Sequence, residues 1–243
     1  MRKSVLRSLI FLAALTVSVG GEMIVVRNRY DPFTTGANTQ ETALNSRNVN
    51  SAAFGKLFSY YVNGAVCAQP LYVAGSPMAA GTRNVLYVAT MNERVYAFDA
   101  DRSGPPLWMR DFTDEPAGIT PVPITDITNN NNLNIVGNVG IESTPVIDLA
   151  ARSLYVLART KESGRYVQRL HRLDLRDGRE QTPAAAIEAS VPGSAGDAVD
   201  GLVHFNPRAG NQRAALALVN GQIVIAWASH EDLAAVSRLD YEL

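Results

Sequence analysis

The sequence predicts an all-β fold built from repeated antiparallel sheets. Residues 84–111 contain two short strands, Asn84–Thr90 and Arg94–Asp99, joined by a polar turn, and a third strand around Leu107–Arg110. The first of these strands is apolar on both faces, which is typical of a strand inside a stack of sheets. Such a unit buries both faces only when copies of it pack on either side.

A second copy follows one period later, and a more degraded third copy spans Asn211–Trp227. Asp99 and Asp174, which end equivalent strands, are 75 residues apart (174 minus 99). Self-similarity at a fixed period, with several short strands per period, predicts a β-propeller or another stacked β array. The repeat is longer than a four-stranded blade requires, so insertions must lie between blades. The matched stretches are Asn84–Ala89 with Ser153–Ala158, Val95–Asp99 with Leu170–Asp174, and Gln69–Val73 with Thr144–Asp148.

These motifs carry a family resemblance. The runs LYVAT at 86–90 and VYAFDA at 95–100, followed by Trp108, resemble the repeats of quinoprotein-like β-propellers, the pyrroloquinoline-quinone (PQQ) repeat superfamily. The resemblance covers roughly residues 30–230 and implies a fold like that of quinoprotein alcohol dehydrogenase. The resemblance does not indicate an activity, because the same repeat occurs in dehydrogenases, assembly scaffolds and proteins of unknown role. Four further stretches are similar to an exported bacterial subgroup of PQQ-binding-like propeller proteins: 64–73, 140–148, 166–171 and 226–230.

The first 21 residues predict a signal peptide. Arg2, Lys3 and Arg7 form a basic start, and an apolar run at 9–19 precedes small residues suited to signal peptidase. The apolar run is short for a bilayer span. We therefore expect a periplasmic or secreted protein, with an uncleaved membrane anchor as the alternative. The net charge of −1 offers no electrostatic footprint for nucleic acid.

The remaining chain predicts a lead-in followed by an incomplete propeller. Residues 22–62 are expected to form an extended lead-in, with one short helical turn within 44–54 and an outer strand at 54–62. At this period about three four-stranded antiparallel blades fit, whereas closed propellers have about four to eight. We therefore expect a truncated member that needs further blades or self-association to close its ring. The propeller is predicted over 63–243, with blades near 63–112, 139–191 and 208–243.

Two insertions separate the predicted blades. Residues 113–140 are rich in proline and asparagine, and residues 191–207 contain three charged or imidazole side chains, Asp197, Asp200 and His204, among glycines. A long loop without secondary structure is either functional or disordered, and asparagine is also a common turn residue. Both readings stay open for each insertion.

The resemblance implies a cofactor only for catalytic members of the family. Those members use PQQ with a calcium ion held by a carboxylate and an amide side chain, and they stack the quinone between a tryptophan and a vicinal disulfide. Cys67 is the only cysteine, so that disulfide is excluded. Glu142, with Asn138 or Asp126 nearby in sequence, could meet a metal or could be a solvated carboxylate at a strand end. No cofactor is expected if the protein is not an enzyme.

Other patterns favour structural roles. The stretch Asp99–Gly104 has the oxygen spacing of a calcium loop, but Arg110 stands where the bidentate carboxylate belongs, so an Asx turn is expected. The resemblance implies that Trp108 seals packing between blades, as the tryptophan at that repeat position does in the family, and Trp227, in a predicted strand, is expected to have the same role. The three histidines lack metal-ligand spacing. The sequence contains no P-loop, dinucleotide fingerprint or nucleophile elbow.

The sequence therefore predicts an exported, non-catalytic propeller that serves as a scaffold or binding module for a protein or envelope partner. The alternative is a fragment of a PQQ- and calcium-dependent periplasmic dehydrogenase of alcohols or sugars. The candidate binding residues are Gln69, Glu142 and Ser143, because inner strands of the family carry these positions near the propeller axis.

Overall fold

The structure is a computed structural model that confirms the all-β prediction, with 4% helix and 40% strand. Every paired strand in the described part is antiparallel, and no sheet closes on itself there. No helix among the described residues is long and apolar enough to cross a membrane. The predicted signal peptide lies outside the described residues, which are 23–39, 41–128, 135–194, 196, 198–230 and 240–242.

The first sheet has five strands that follow one another in chain order, as in a meander. The prediction of strands at Arg94–Asp99 and around Leu107–Arg110 is confirmed. Glu93 adopts a left-handed φ of 59° in the turn before the fourth strand. The strands are β1 (Ile24–Val25), β2 (Leu71–Met78), β3 (Gly81–Ala89), β4 (Arg94–Asp99) and β5 (Trp108–Asp111).

The second sheet also has five strands, and its central hairpin is the longest in the molecule's described part. Ser163 and Gly164 connect that hairpin with φ angles of 49° and 86°. Two consecutive positive φ angles match a type I′ turn, whose twist suits a two-residue hairpin. The strands are β6 (Ile119–Pro121), β7 (Val146–Asp148), β8 (Ser153–Glu162), β9 (Arg165–Asp174) and β10 (Ala185–Ala186).

The C-terminal region contains a third sheet of three strands and two ribbons of two strands. The third sheet has the order β14-β15-β17, and the ribbons pair β11 with β12 and β13 with β16. The strands are β11 (Ser190–Pro192), β12 (Leu202–His204), β13 (Gly210–Asn211), β14 (Ala217–Val219), β15 (Gln222–Ala226), β16 (Ala228–Ser229) and β17 (Asp240–Glu242).

The first two sheets are equivalent when they are aligned by backbone pairing. Val85 lies opposite Asp99, and Ser153 lies opposite Asp174, so the equivalent residues of β3 and β8 are 68 positions apart (153 minus 85). The sequence match assigned 69 (153 minus 84) and is wrong by one residue. Because successive side chains point to opposite faces, this error exchanges the two faces of the strand. Asp99 and Asp174 themselves occupy equivalent places.

The three sheets stack through apolar layers. The same alignment holds in each sheet. We call β2, β7 and β14 the leading strands of the three sheets, and they pair with β3, β8 and β15 through Leu71–Tyr87, Val146–Tyr155 and Ala217–Val224. One apolar layer lies between the second and third sheets and contains Leu157, Leu170, Ile223, Ile225 and Trp227. The layer between the first and second sheets contains Val85, Tyr87, Ala89, Ala97, Leu154, Val156, Ala158 and Leu173.

Two expectations about connecting segments are wrong. Residues 54–62 form no strand in the described structure. The insertion 113–140 was expected to lack secondary structure, yet it contributes β6 to the edge of the second sheet. It also holds a 3-10 helix, Glu115–Ala117, and one turn of α-helix, Ile124–Ile127. The expected helical turn within 44–54 consists of isolated turns, including one closed by the hydrogen bond from Val49 N to Asn45 O.

Candidate functional site

A polar cleft of about 760 Å³ lies where the lead-in and the loops before the sheets meet. Its lining comes from the segment after β1, from the loops that precede the leading strands of the three sheets, and from the C-terminal ribbon. Its volume is in the range of small-molecule sites, about 300 to 1,000 Å³. The lining residues are Asn28, Arg29, Cys67, Ile135, Glu142, Thr144, Asn211, Arg213, Ala215 and His230.

Three of these residues occupy equivalent positions in the repeat. Cys67, Glu142 and Arg213 each lie four residues before the leading strand of their sheet, which starts at Leu71, Val146 or Ala217. Their side chains line the same cleft although they belong to three different sheets. Equivalent positions of successive repeats therefore converge on one place.

Gln69 and Thr144 form the next layer, two residues closer to the strands. The backbone N–H of Gln69 donates to the Thr144 hydroxyl at 3.0 Å, which ties the first repeat to the second. The side-chain oxygen of Gln69 accepts a hydrogen bond from the backbone N–H of Arg29 at 3.0 Å. Gln69 therefore holds the lead-in at the cleft.

Glu142 is the acidic group of the cleft, and its side chain is only 10% exposed. Its Oε1 lies 3.8 Å from Nε of Arg213, whereas its Oε2 is buried and has no hydrogen-bond partner among the described residues. Burial raises the pKa of Glu142, and the positive charges of Arg159 and Arg213 oppose that rise. The cleft thus presents one carboxylate next to guanidinium groups.

A buried charged hub lies next to the cleft. The fully buried Glu93 accepts a hydrogen bond of 3.2 Å from the backbone N–H of Arg159 through Oε2, and its Oε1 has no partner among the described residues. Desolvation raises the pKa of Glu93 well above its ordinary value, and it lowers the pKa of Arg159 to about 10. The guanidinium of Arg159 donates to the carbonyl of Gly210. Gly140 packs so closely against Glu93 that a Cβ there would collide with it.

The structure places the three predicted binding residues, Gln69, Glu142 and Ser143, in different surroundings. Glu142 lines the cleft, and Gln69 supports it through its contacts with Thr144 and Arg29. Ser143 is fully buried and is not part of the lining. The sequence reading missed Cys67 and Arg213. Their common position before each leading strand was the signal that could have identified them.

The residues proposed to join Glu142 at a metal do not do so. The carboxylate of Asp126 binds Lys161 at 2.8 Å and Tyr166 at 3.1 Å, and the amide of Asn138 donates to Asn92 at 2.9 Å. Within the described ranges, no group of three or more histidine, cysteine, aspartate or glutamate side chains could hold a metal ion.

The expected Asx turn at Asp99 is confirmed. Its Oδ1 accepts a hydrogen bond of 3.1 Å from the backbone N–H of Asp101. Its Oδ2 lies 3.4 Å from Nε of Arg83 and 3.3 Å from Nε of Arg102. The carboxylate is therefore engaged in turn formation and ion pairing.

Both tryptophans are buried between sheets, as expected. The indole N–H of Trp108 donates to the carbonyl of Leu175 at 2.9 Å, and that of Trp227 donates to Oε1 of Gln168 at 2.7 Å. Each of these bonds joins a side chain to the neighbouring sheet or its following turn. Neither indole is available to stack on a ligand in the cleft.

Cys67 contributes a thiol to the lining of the cleft. Desolvation raises the pKa of the Cys67 thiol, Glu142 raises it further and Arg213 lowers it. A thiol with a raised pKa is a poor nucleophile, because the thiolate is the reactive form.

No family model, curated protein or solved structure matches this chain.

Proposed function

We propose that this protein is an exported, non-catalytic binding module built as part of a β-propeller, and that it binds a small polar ligand in the cleft around Glu142. The observation that carries the proposal is the convergence of Cys67, Glu142 and Arg213 from equivalent positions of three sheets on one cleft. In a propeller, such positions surround the central axis, where ligands are bound at the mouth.

The register of the sheets supports the propeller. In the first sheet, Tyr87 faces the second sheet, and the equivalent Tyr155 of the second sheet packs in the layer toward the third. The same face of each sheet therefore meets the opposite face of the next, which is how the blades of a ring stack. Export rests on the predicted signal peptide at 1–21.

The cleft favours ligands that carry both charges or several hydroxyl groups. Glu142 offers a shielded carboxylate, while Arg29 and Arg213 offer guanidinium groups that bind carboxylates and phosphates. Asn211 adds an amide. We take binding without chemical conversion as the function that this set of charged and amide side chains supports best.

The second candidate is a remnant of a PQQ-dependent dehydrogenase. It is favoured by one observation: a carboxylate, Glu142, and an amide, Asn211, line the same cleft, and these are the ligand types that the family resemblance implies for calcium. The residues for the quinone do not fit, because Trp108 and Trp227 are buried in sheet contacts and Cys67 has no neighbouring cysteine. The quinone therefore enters no step of our proposal.

The proposal can be tested through Cys67, the single thiol, which lines the cleft. The rate of its alkylation by iodoacetamide is measured with sugars, amino acids, dicarboxylates and nucleotides as separate probes. We expect at least one class to slow alkylation in a saturable way, and the variant Asn211→Ala to weaken that protection. The control Ser190→Ala, which lies at a different cleft, should leave it unchanged.

Two results would overturn the proposal. If none of the four probe classes changes the alkylation rate, the cleft is not a small-molecule site. If the protein mixed with PQQ and calcium oxidises ethanol or glucose with a dye as electron acceptor, the second candidate replaces the first.

A further inference from the structure

Arg29 lines the cleft around Glu142, and no carboxylate in the described part of the chain pairs with it. The side chain is exposed, and none of the ion pairs among the described residues includes it. The carboxylate nearest in sequence, that of Asp31, is engaged in its own turn. Its Oδ1 accepts from the backbone N–H of Phe33 at 2.7 Å, and its Oδ2 accepts from that of Thr35 at 3.2 Å.

The other charges at the cleft leave the charge of Arg29 in excess. Two of the described lining residues are cationic, Arg29 and Arg213, and one is acidic, Glu142. That carboxylate already has Nε of Arg213 at 3.8 Å, and the positive charge of the buried Arg159 acts on it as well. The cleft therefore has an excess of positive charge, which attracts anions.

The backbone of Arg29 is held in a conformation that side chains rarely adopt. Its φ is 56°, and that of Tyr30 is 71°. Such a left-handed residue persists only where its surroundings fix it, and these residues are concentrated at functional sites. Here the backbone N–H of Arg29 donates to Oε1 of Gln69 at 3.0 Å, and its carbonyl accepts from the backbone N–H of Asp31 at 2.9 Å and of Gly36 at 3.2 Å.

Gln69 connects this part of the lead-in to the first two sheets. Its amide Nε2 donates to the carbonyl of Arg27 at 3.4 Å, so its side chain holds the lead-in at two points. Its own backbone N–H donates to the hydroxyl of Thr144, before the leading strand of the second sheet. Gln69 therefore fixes the place from which the Arg29 side chain enters the cleft.

We propose that the ligand of the cleft is a hydroxylated anion whose carboxylate or phosphate oxygens bind Arg29, and that Gln69 is the positioning residue for this arginine. The inference rests on the proposed function and adds the class of ligand. A guanidinium group donates two parallel hydrogen bonds to either kind of acidic group. The hydroxyl groups face Glu142, whose Oε2 has no hydrogen-bond partner among the described residues. A cationic ligand would be repelled, and a neutral one would leave Arg29 without a counter-charge.

The test uses four probes that share a three-carbon skeleton with hydroxyl groups and differ in the charge at one end. Glycerate carries a carboxylate, glycerol phosphate a phosphate, glycerol no charge and aminopropanediol an ammonium group. The readout is the rate of Cys67 alkylation by iodoacetamide at constant ionic strength, because salt screens exposed charges. We expect the two anions to slow alkylation in a saturable way and the other two probes to leave it unchanged. The two anions also show which acidic group binds more tightly.

Two variants assign the roles of Arg29 and Gln69. Arg29→Gln should raise the half-protecting concentration of the better anion about tenfold. Arg47→Gln removes the same charge at an exposed position that does not line the cleft, and it should leave protection unchanged. Gln69→Leu should also weaken protection. If it acts through Arg29, the double variant is no weaker than Arg29→Gln alone, whereas independent effects would add. Circular dichroism checks that each variant is folded.

The outcomes separate this inference from the proposed function. If glycerol, aminopropanediol or a neutral sugar protects Cys67 and no anion does, the cleft is a binding site but the ligand class is wrong. Anion protection that Arg29→Gln leaves intact would overturn the role of that residue. If no probe in either experiment changes the alkylation rate, the proposed function itself fails.

Discussion

The indole N–H of Trp108 donates a hydrogen bond of 2.9 Å to the carbonyl of Leu175, which joins the last strand of the first sheet to the turn that follows β9. The same carbonyl accepts a hydrogen bond of 3.2 Å from the hydroxyl of Tyr87. Gly178 in that turn lies directly against the indole ring. The turn after β9 therefore packs directly against the indole of the first sheet.

The first prediction concerns this contact. A Cβ at Gly178 would lie 2.6 Å from Cε3 of Trp108, and the glycine has a φ of 71°. We expect Gly178→Ala to lower the free energy of unfolding by about 2 to 3 kcal/mol, because overpacking and a left-handed backbone both oppose the new side chain. Urea denaturation measures the change. Gly104→Ala, which enters open space, should change the stability by less than about 0.5 kcal/mol.

The second prediction concerns the contact between the second and third sheets. Gln168 is fully buried, accepts from the indole of Trp227 and donates to the carbonyls of Pro207 at 3.0 Å and Gly210 at 2.8 Å. Gln168→Leu leaves the indole N–H and the Pro207 carbonyl unpaired, which should cost about 2 to 4 kcal/mol. Thermal and urea unfolding measure the loss. The exposed Gln222→Leu is the matched control, and equal losses in both variants would contradict the role of Gln168.

The third prediction is a pH dependence of stability caused by Glu93. Its pKa is raised well above 4.5 by burial, so between pH 4.5 and its folded-state pKa the folded protein holds one more proton than the unfolded chain. The stability then falls as the pH rises through this window, by about 1.4 kcal/mol per pH unit at most. Below pH 4.5 both states are protonated and the slope disappears.

Glu93→Gln removes that titration and keeps an oxygen for the backbone N–H of Arg159. Relative to the natural protein, the variant should therefore gain stability as the pH rises above 4.5, as measured by urea denaturation from pH 4 to 9. Glu115→Gln, at an exposed position, is the matched control for replacing a glutamate by glutamine. A flat difference for Glu93→Gln would show that Glu93 holds the same charge in both states.

The fourth prediction uses the reactivity of Cys67. The negative charge of Glu142 raises the pKa of this thiol beyond the effect of burial, and the positive charge of Arg213 lowers it. Glu142→Gln should speed alkylation by iodoacetamide severalfold at pH 7, because more thiolate is present. Arg213→Gln should slow it.

The alkylation rate as a function of pH separates a changed pKa from changed access. A changed pKa moves the midpoint of the curve, whereas changed access alters the plateau. If both variants shift the midpoint in the same direction, the charges of Glu142 and Arg213 do not act on Cys67 as the geometry indicates.

The repeat could be predicted because its signals are local. Turn residues and runs of alternating or continuous apolar side chains identify Arg94–Asp99 and the strand near Trp108 without knowledge of their partners. The register of β3 relative to its equivalent strand β8 could not be predicted. A strand that is apolar on both faces carries no period-two signal, so a match shifted by one residue looks as good as the true register.

The sequence by itself determined the all-β class and the repeated unit, since each depends on short-range pattern. Only the tertiary structure decided the site. Glu93 and Arg159 are 66 residues apart, yet the carboxylate accepts the backbone N–H of the arginine in the buried hub. Burial changes the free energy of a charge only after distant segments have excluded water from it, and no local pattern records that exclusion.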